Sequence, residues 1–267
     1  MEKKISGWAN NKPINCKVYF PKNILELKKV IKKKTIARGL GRSYGDSSIQ
    51  PNSTIITTNL NKILNFDTKK GIIEAEAGIS IKEIIKKTVK EGWFLPVTPG
   101  SKNITLGGMV ASDVHGKNHH KVGSFKNHII QFKLINRNKR TIVCSKKKNQ
   151  NLFKFTVGGM GLTGIICSCK FKLKKIKTDL IYQEKIRNKN LHETIKSIKN
   201  SNNWEYNVAW IDTSANYKDL GRSILIRGKH VKKIDKNLVS KELYENNFSI
   251  PNIFPNWFMN KFFIKIL

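Results

Sequence analysis

One short run limits what this chain can fold into more than any other feature: Ala37-Arg38-Gly39-Leu40-Gly41-Arg42-Ser43-Tyr44-Gly45-Asp46. It follows an apolar segment, residues 35–38, that reads as a strand, and it brings three glycines into one turn. Glycine accepts positive φ and lets a backbone approach a ligand closely, so successive N–H groups of such a loop can converge on a diphosphate. A GxG pair by itself reads as a tight surface turn, and the spacing here is not the GxGxxG of the dinucleotide fingerprint. Two further glycine-rich segments, Pro99-Gly100 to Gly108 and Gly158 to Gly164, shift that balance. A nucleotide held in an extended pose needs several such points of close approach.

The rest of the chain alternates strand and helix signals. Residues 17–19 read as a strand stopped by Pro21. Asn23 caps a helix whose apolar face is Ile24, Leu25, Leu27, Val30 and Ile31, with lysines at its C-terminal end, where the helix dipole favours cations. Residues 53–60 and 72–77 are expected strands, and Ser80 opens a helix that Gly92 ends. Residues 129–134 and 141–144 form a hairpin about Arg137 and Asn138, a short helix lies near Leu152, and a strand over 165–173 closes the first domain. A composition shift at residues 174–177 divides the chain into domains 1–175 and 176–267. Beyond it, residues 180–186, 191–198, 205–211 and 223–227 read as strand, helix, strand and strand, so the fold class is α+β. The segment 257–267 is strongly apolar and is expected to need a covering partner.

Charge and cysteine usage exclude several classes. The 51 basic residues exceed the 18 acidic ones by 33, yet only seven are arginine and the lysines are dispersed. Nucleic-acid proteins concentrate charge and favour Arg where phosphates or bases are gripped in pairs, so nucleic acid is disfavoured as a partner. The field still draws anionic lipid head groups and phosphorylated substrates. Cys16, Cys144, Cys167 and Cys169 have neither zinc nor disulfide spacing, which fits a reducing compartment. Cys167 and Cys169 alternate along a strand and are expected to face one side as small core residues. No stretch approaches about 18 apolar residues, and residues 1–12 lack the apolar core of a secretion signal. The expected location is the cytoplasm, with any membrane contact peripheral, at the inner membrane face.

A second chemical signal is Ser112-Asp113-Val114-His115-Gly116-Lys117-Asn118-His119-His120, which with His128 holds four of the six histidines. Asp113 is the sole nearby carboxylate and the spacing matches no common zinc pattern, so no metal is expected. The plain reading is a polar loop with surface histidines. The functional reading is that a His and a Lys beside a flavin or an anionic substrate donate hydrogen bonds and steady developing negative charge. Trp204 and Trp210 flank a strand and read as core or interface residues rather than a stacking platform. Asp212 reads equally well as structural or substrate-facing.

Taken together, ARGLGRSYGD (37–46), TLGG (105–108), SDVHGKNHH (112–120), Gly123-Ser124-Phe125 and TVGGMGLTGII (156–166) resemble the flavin domain of the decaprenylphosphoryl-ribose oxidases. These belong to the FAD-binding superfamily of vanillyl-alcohol oxidase and p-cresol methylhydroxylase. Val208-Ala209-Trp210-Ile211-Asp212, Leu220-Gly221-Arg222-Ser223 and Ile253-Phe254-Pro255-Asn256 resemble the start of that family's substrate domain, so the likeness covers nearly the whole chain.

The resemblance implies a p-cresol methylhydroxylase-type FAD-binding domain of two α/β subdomains, followed by the start of an α+β substrate domain. It implies FAD held by Ala37, Arg38, Gly39, Leu40, Gly41, Arg42, Ser43, Tyr44, Gly45, Asp46 and Ser47, and by Thr105, Leu106, Gly107 and Gly108. Gly100, Ser112, Asp113, Val114, His115 and Ile166 would lie along the rest of the cofactor, with Tyr44, His115 and Lys117 as catalytic residues. Asp46 stands where relatives with covalent flavin often carry His, so the FAD is expected to be non-covalent. The implied reaction is oxidation of the ribose 2-hydroxyl of a polyprenyl phosphoryl ribose to the 2-keto sugar, by proton abstraction and hydride transfer to the flavin. It would be the first half of a 2-epimerisation in cell-envelope arabinose-type sugar synthesis, completed by a short-chain-dehydrogenase-type reductase partner. Family members are longer, so the chain is expected to stop inside the substrate domain, with a lysine base beyond it. The alternatives are an FAD-dependent sugar alcohol or aldonolactone oxidase and, from another class, a basic nucleic-acid-binding protein, which would bind with strong salt dependence and hold no flavin.

Overall fold

The computed structural model describes residues 1–10, 12–215 and 217–232, so the features expected at 253–256 and 257–267 lie outside the described residues. The chain divides into two compact units, 1–179 and 180–267.

The first unit opens with β1 (Glu2–Ile5), β2 (Ile14–Tyr19), α1 (Ile24–Val30), β3 (Ile36–Arg38) and β4 (Thr54–Ile56). They form a sheet in the order β1-β2-β4-β3, antiparallel between β1 and β2 and parallel elsewhere. Asn23 caps α1 by accepting the Glu26 N–H, and Lys28 and Lys29 fill its last turn. The strand expected over 53–60 is shorter than its apolar run, because the chain turns at Thr57, whose carbonyl accepts the Leu60 N–H at 2.9 Å.

The chain continues through β5 (Ile63–Asp67), β6 (Ile72–Glu76), α2 (Ile81–Thr88), β7 (Trp93–Phe94), α3 (Leu106–Ala111), α4 (His119–Val122), β8 (Ile129–Ile135), β9 (Thr141–Ser145), α5 (Gln150–Thr156), β10 (Ile165–Lys172) and β11 (Lys174–Lys175). Five of these strands pair antiparallel in the order β5-β6-β10-β8-β9, while β7 pairs with β11. Ser80 and Glu83 make a reciprocal capping box on α2. The larger core gathers Ile81 and Ile84 of α2, Leu106 and Met109 of α3 and Phe153 of α5 onto Ile73, Phe132 and Phe171. A smaller core joins Leu27, Ile31, Ile55 and Leu60 to Ile135, Ile165 and Cys167. Each fully buried large side chain contributes about 1.5–3 kcal/mol.

Strand β10 serves both cores and corrects one expectation. Its register with β8 shifts between Ile166 and Ser168, so Cys167 is an extra residue and the alternation changes parity there. Cys167 therefore joins the smaller core and Cys169 the larger, rather than both facing one side. Burial pushes the Cys167 thiol up to about 12 and raises that of Cys169 as well, which leaves both inert at neutral pH.

The second unit contains β12 (Ile181–Asn188), α6 (Leu191–Asn200), β13 (Tyr206–Ile211) and β14 (Ser223–His230), with the strands antiparallel in the order β12-β14-β13. The contact of α6 with the sheet is polar. Thr194 Oγ1 donates to the Gly221 carbonyl and lies 2.7 Å from Ser223 Oγ, while Asn188 Nδ2 donates to Ser223 Oγ and Ser197 Oγ to Asn188 Oδ1. Trp204 is half-buried, stacked on Tyr182 and covered by the Arg227 guanidinium at 4.5 Å, whereas Trp210 is 75% exposed, and neither joins a core. Asp212 closes a turn. Hydrogen bonds from Ser214, then from Arg222, hold its carboxyl down to about 2.

Candidate functional site

Loops from both sheets of the first unit meet around one cleft, open to solvent. Nine of the expected cofactor residues line it. Ala37, Gly39, Ser43 and Ser47 come from the end of β3 and the loop after it, Thr105, Gly107 and Gly108 from the start of α3, Ser112 from its end, and Ile166 from β10.

Local hydrogen bonds explain why these segments converge. The Leu106 N–H donates to the Ile79 carbonyl at 2.9 Å and the Gly107 N–H to that of Ala77 at 2.7 Å, which fastens the start of α3 to the end of β6. Thr105 Oγ1 caps α3 by accepting the Gly108 N–H. A methyl group on Gly39 would overlap Thr105 Oγ1, so only glycine lets the first loop close on α3. Gly41 sits at φ +69°, in the left-handed region that L-residues rarely adopt. The third glycine-rich segment docks on the far end of α3 through Gly158 N–H to the Val110 carbonyl and Met160 N–H to that of Ala111.

The cleft fits the diphosphate of an extended nucleotide. Among the described residues, the backbone N–H groups of Gly39 and Ser43, both in the lining, donate to no protein acceptor. The lining consists of small, mostly Gly, Ala, Ser and Thr residues and holds no carboxylate. Donors without acceptors and the absence of negative charge are what an anion requires of such a loop.

The other expected residues lie elsewhere, for identifiable reasons. Arg38 is half-buried and donates to the Ser6 carbonyl at 2.7 Å and to Ser48 Oγ at 3.2 Å, so it fastens the loop to the N-terminal segment, and burial holds its pKa below the ordinary value. Arg42 Nε donates to the Asn103 carbonyl. Gly45 and Asp46 border a separate groove with Gly7, Lys12 and Ile14. Leu40 and Gly100 are exposed, Leu106 is fully buried in the larger core, and Val114 packs at that core's edge. The Asp113 carboxylate accepts from Ser124 and Lys126. Of the three expected catalytic residues, His115 and Lys117 share one exposed turn, with His115 edge-on to His119 at 5.2 Å. Tyr44, 78% exposed, stands on the first loop against Trp8.

Sequence reasoning missed Ser48, Thr57, Ala77, Ala111, Met160, Gly161 and Gly164 in the lining. The last three belong to the 158–164 segment, whose glycines were a usable signal. The first four are small residues like those of any loop, and only the tertiary fold assigns them. Among the described residues, no group of three or more His, Cys, Asp or Glu side chains could hold a metal ion.

Residues 17–145 match the family described as FAD binding domain, which supports FAD as the cofactor. The match places a p-cresol methylhydroxylase-type FAD-binding domain within the chain. Over 97% of its length it is 31% identical to the decaprenylphosphoryl-beta-D-ribose oxidase of Mycolicibacterium smegmatis, of which it covers 60%. It is 24% identical to the L-gulonolactone oxidase of Bos taurus over 71% of the chain and 46% of that protein. It is 26% identical to the Delta(24)-sterol reductase of Homo sapiens over 44% of the chain and 23% of that protein. The chain thus spans 60% of the length of the first relative and less than half of the other two. The family resemblance read from the motifs, the α+β class and the FAD cofactor are borne out.

Proposed function

We propose that this chain supplies the flavin-binding part of an oxidase that converts the ribose 2-hydroxyl of a polyprenyl phosphoryl ribose to the 2-keto sugar. The observation that carries the reading is the 31% identity with the ribose oxidase, which runs through 97% of the chain rather than through the flavin domain alone. FAD bound in the cleft supplies the hydride acceptor. The chain's own residues do the holding. The N–H groups of Gly39 and Ser43 grip the diphosphate, and the small side chains of Ala77, Thr105 and Ser112 leave room for an extended cofactor. His115 and Lys117 donate hydrogen bonds to the sugar and its phosphate, and Tyr44 stands at the substrate side. With Asp46 after Gly45, the FAD is held without a covalent bond.

In this reading residues 1–175 form the FAD-binding domain and 176–267 the beginning of the substrate domain. A short-chain-dehydrogenase-type reductase takes the ketone onward, completing a 2-epimerisation. The excess of 33 positive charges supports peripheral contact with an anionic membrane at the cytoplasmic face, and among the described residues no helix is long and apolar enough to cross a membrane. The second reading, oxidation of a free sugar lactone, draws on the L-gulonolactone oxidase likeness, which is weaker and shorter.

The test is the visible spectrum of the purified chain before and after acid precipitation, followed by anaerobic addition of a prenyl phosphoryl ribose or an aldonolactone. Two flavin bands released into the supernatant are expected, and bleaching by the prenyl phosphoryl ribose but not by the lactone would favour the first reading. Bleaching by the lactone alone would favour the second reading. A colourless protein that refuses FAD and binds nucleic acid in a salt-dependent way would overturn both.

A further inference from the structure

We propose that Asp113 is a positioning residue, whose carboxylate latches the turn bearing His115 onto residues 124–126 and so fixes where that imidazole stands. This rests on the reading above, in which His115 lies beside the cofactor and substrate.

The backbone at Asp113 has φ +41°, a left-handed conformation that a non-glycine residue keeps only when its surroundings compensate for it. The compensation is specific. One carboxylate oxygen accepts the Ser124 hydroxyl at 2.9 Å and the other accepts the Lys126 backbone N–H at 2.9 Å. Between these two bonds, the Phe125 N–H donates to the Val114 carbonyl at 2.9 Å, and His115 and Ser124 form an isolated antiparallel bridge. Three consecutive residues, 113 to 115, are thus registered against 124 to 126, and the fully buried Phe125 ties that partner segment to the core. On its other side Asp113 follows Ser112, which lines the cleft, and its own N–H closes α3 onto the Val110 carbonyl. Both carboxylate oxygens are turned to protein donors. The residue therefore acts through His115 rather than by touching the cofactor.

The test uses the full chain with FAD and compares Asp113→Ala, Ser124→Ala, His115→Ala and the Asp113→Ala/His115→Ala double variant. The first readout is the His115 imidazole signal in a ¹H–¹³C NMR spectrum, assigned by its loss in His115→Ala. It should move in Asp113→Ala, and move the same way but less in Ser124→Ala, while the signal of His192 stays in place. The second readout is FAD affinity, which should fall about tenfold in Asp113→Ala and change less than about twofold when the same substitution is made in the His115→Ala background. Ser124→Ala removes one hydroxyl and keeps the imidazole test available should Asp113→Ala fail to fold. An unmoved His115 signal in folded variants overturns the proposal. So does an Asp113→Ala loss of affinity that is equal with and without His115, which would mean that the carboxylate acts on the cofactor directly. If the imidazole moves as expected but His115→Ala leaves flavin binding and flavin reduction untouched, the latch stands and the assignment of His115 to the site fails.

Discussion

The two units hold their interiors together by opposite means. The first buries Phe125, Phe132 and Phe171 among aliphatic side chains in its larger core and has a second apolar core besides. In the described part of the second, Leu225 is the one buried hydrophobic side chain, and the space beneath α6 belongs to Asn188, Thr194, Ser197 and Ser223, bonded to one another. Helix α6 turns Leu191, Ile195 and Ile198 outward, 46%, 46% and 39% exposed. An apolar interior is sensitive to lost volume, whereas a hydrogen-bonded one is sensitive to a lost partner. The difference explains where the cleft is. Backbone loops that must hold N–H groups in fixed directions need a stiff, densely packed support, and only the first unit offers one among the described residues.

Paired substitutions put that contrast at risk. Leu106 is fully buried under the cleft glycines of α3, so Leu106→Ala should cost about 2–5 kcal/mol and loosen FAD. Ile195→Ala on the outer face of α6 should stay within about 0.5 kcal/mol. Denaturant unfolding followed by flavin titration measures both, and equal losses would erase the distinction between the units. A smaller effect is expected from Thr194→Val, which keeps the shape but leaves the Ser223 hydroxyl and the Gly221 carbonyl each one partner short. The cost should be about 1–3 kcal/mol, seen as faster amide exchange in β14 with β10 unchanged. A neutral Thr194→Val would mean that the buried network is not what holds α6 to its sheet.

What could be read in advance follows from how local its cause is. The caps at Asn23 and Ser80, the glycine loops and the 129–145 hairpin were legible because each is decided by neighbours within a few residues. Strand β1 was not. Its Glu-Lys-Lys-Ile has no apolar alternation and becomes a strand only by pairing with β2. The two-residue pair β7 and β11 is likewise a product of tertiary contact. The shift in β10 inverted the expected facing of Cys169, because an added residue changes parity without leaving a mark in composition. In the site, Gly39, Gly107 and Gly108 announced themselves, but Arg38 and Leu106 read as cofactor contacts because they sit inside the motif. The structure gives the first to the Ser6 carbonyl and the second to the core.

The apolar unit also contains one polar group whose burial should show as a pH effect. His128 Nε2 is buried without a hydrogen-bond partner among the described residues. Burial, the largest influence, lowers the His128 pKa from the ordinary 6.5; a backbone bond to Val122 opposes that shift and the Lys146 charge reinforces it. The unfolded chain then binds a proton more readily than the folded one between the lowered value and 6.5, so stability rises with pH across that window. It is complete above the unfolded value and is lost as the pH falls below it. His128→Gln removes the titration while keeping a side chain that can bond Val122. Melting temperatures between about pH 5 and 7 should therefore depend less on pH in the variant than in the parent chain, with the curves converging toward the upper end. Parallel curves would mean that the imidazole is protonated equally in both states. The first unit would then tolerate a buried polar group as readily as the second, and the contrast between the two interiors would narrow to packing alone.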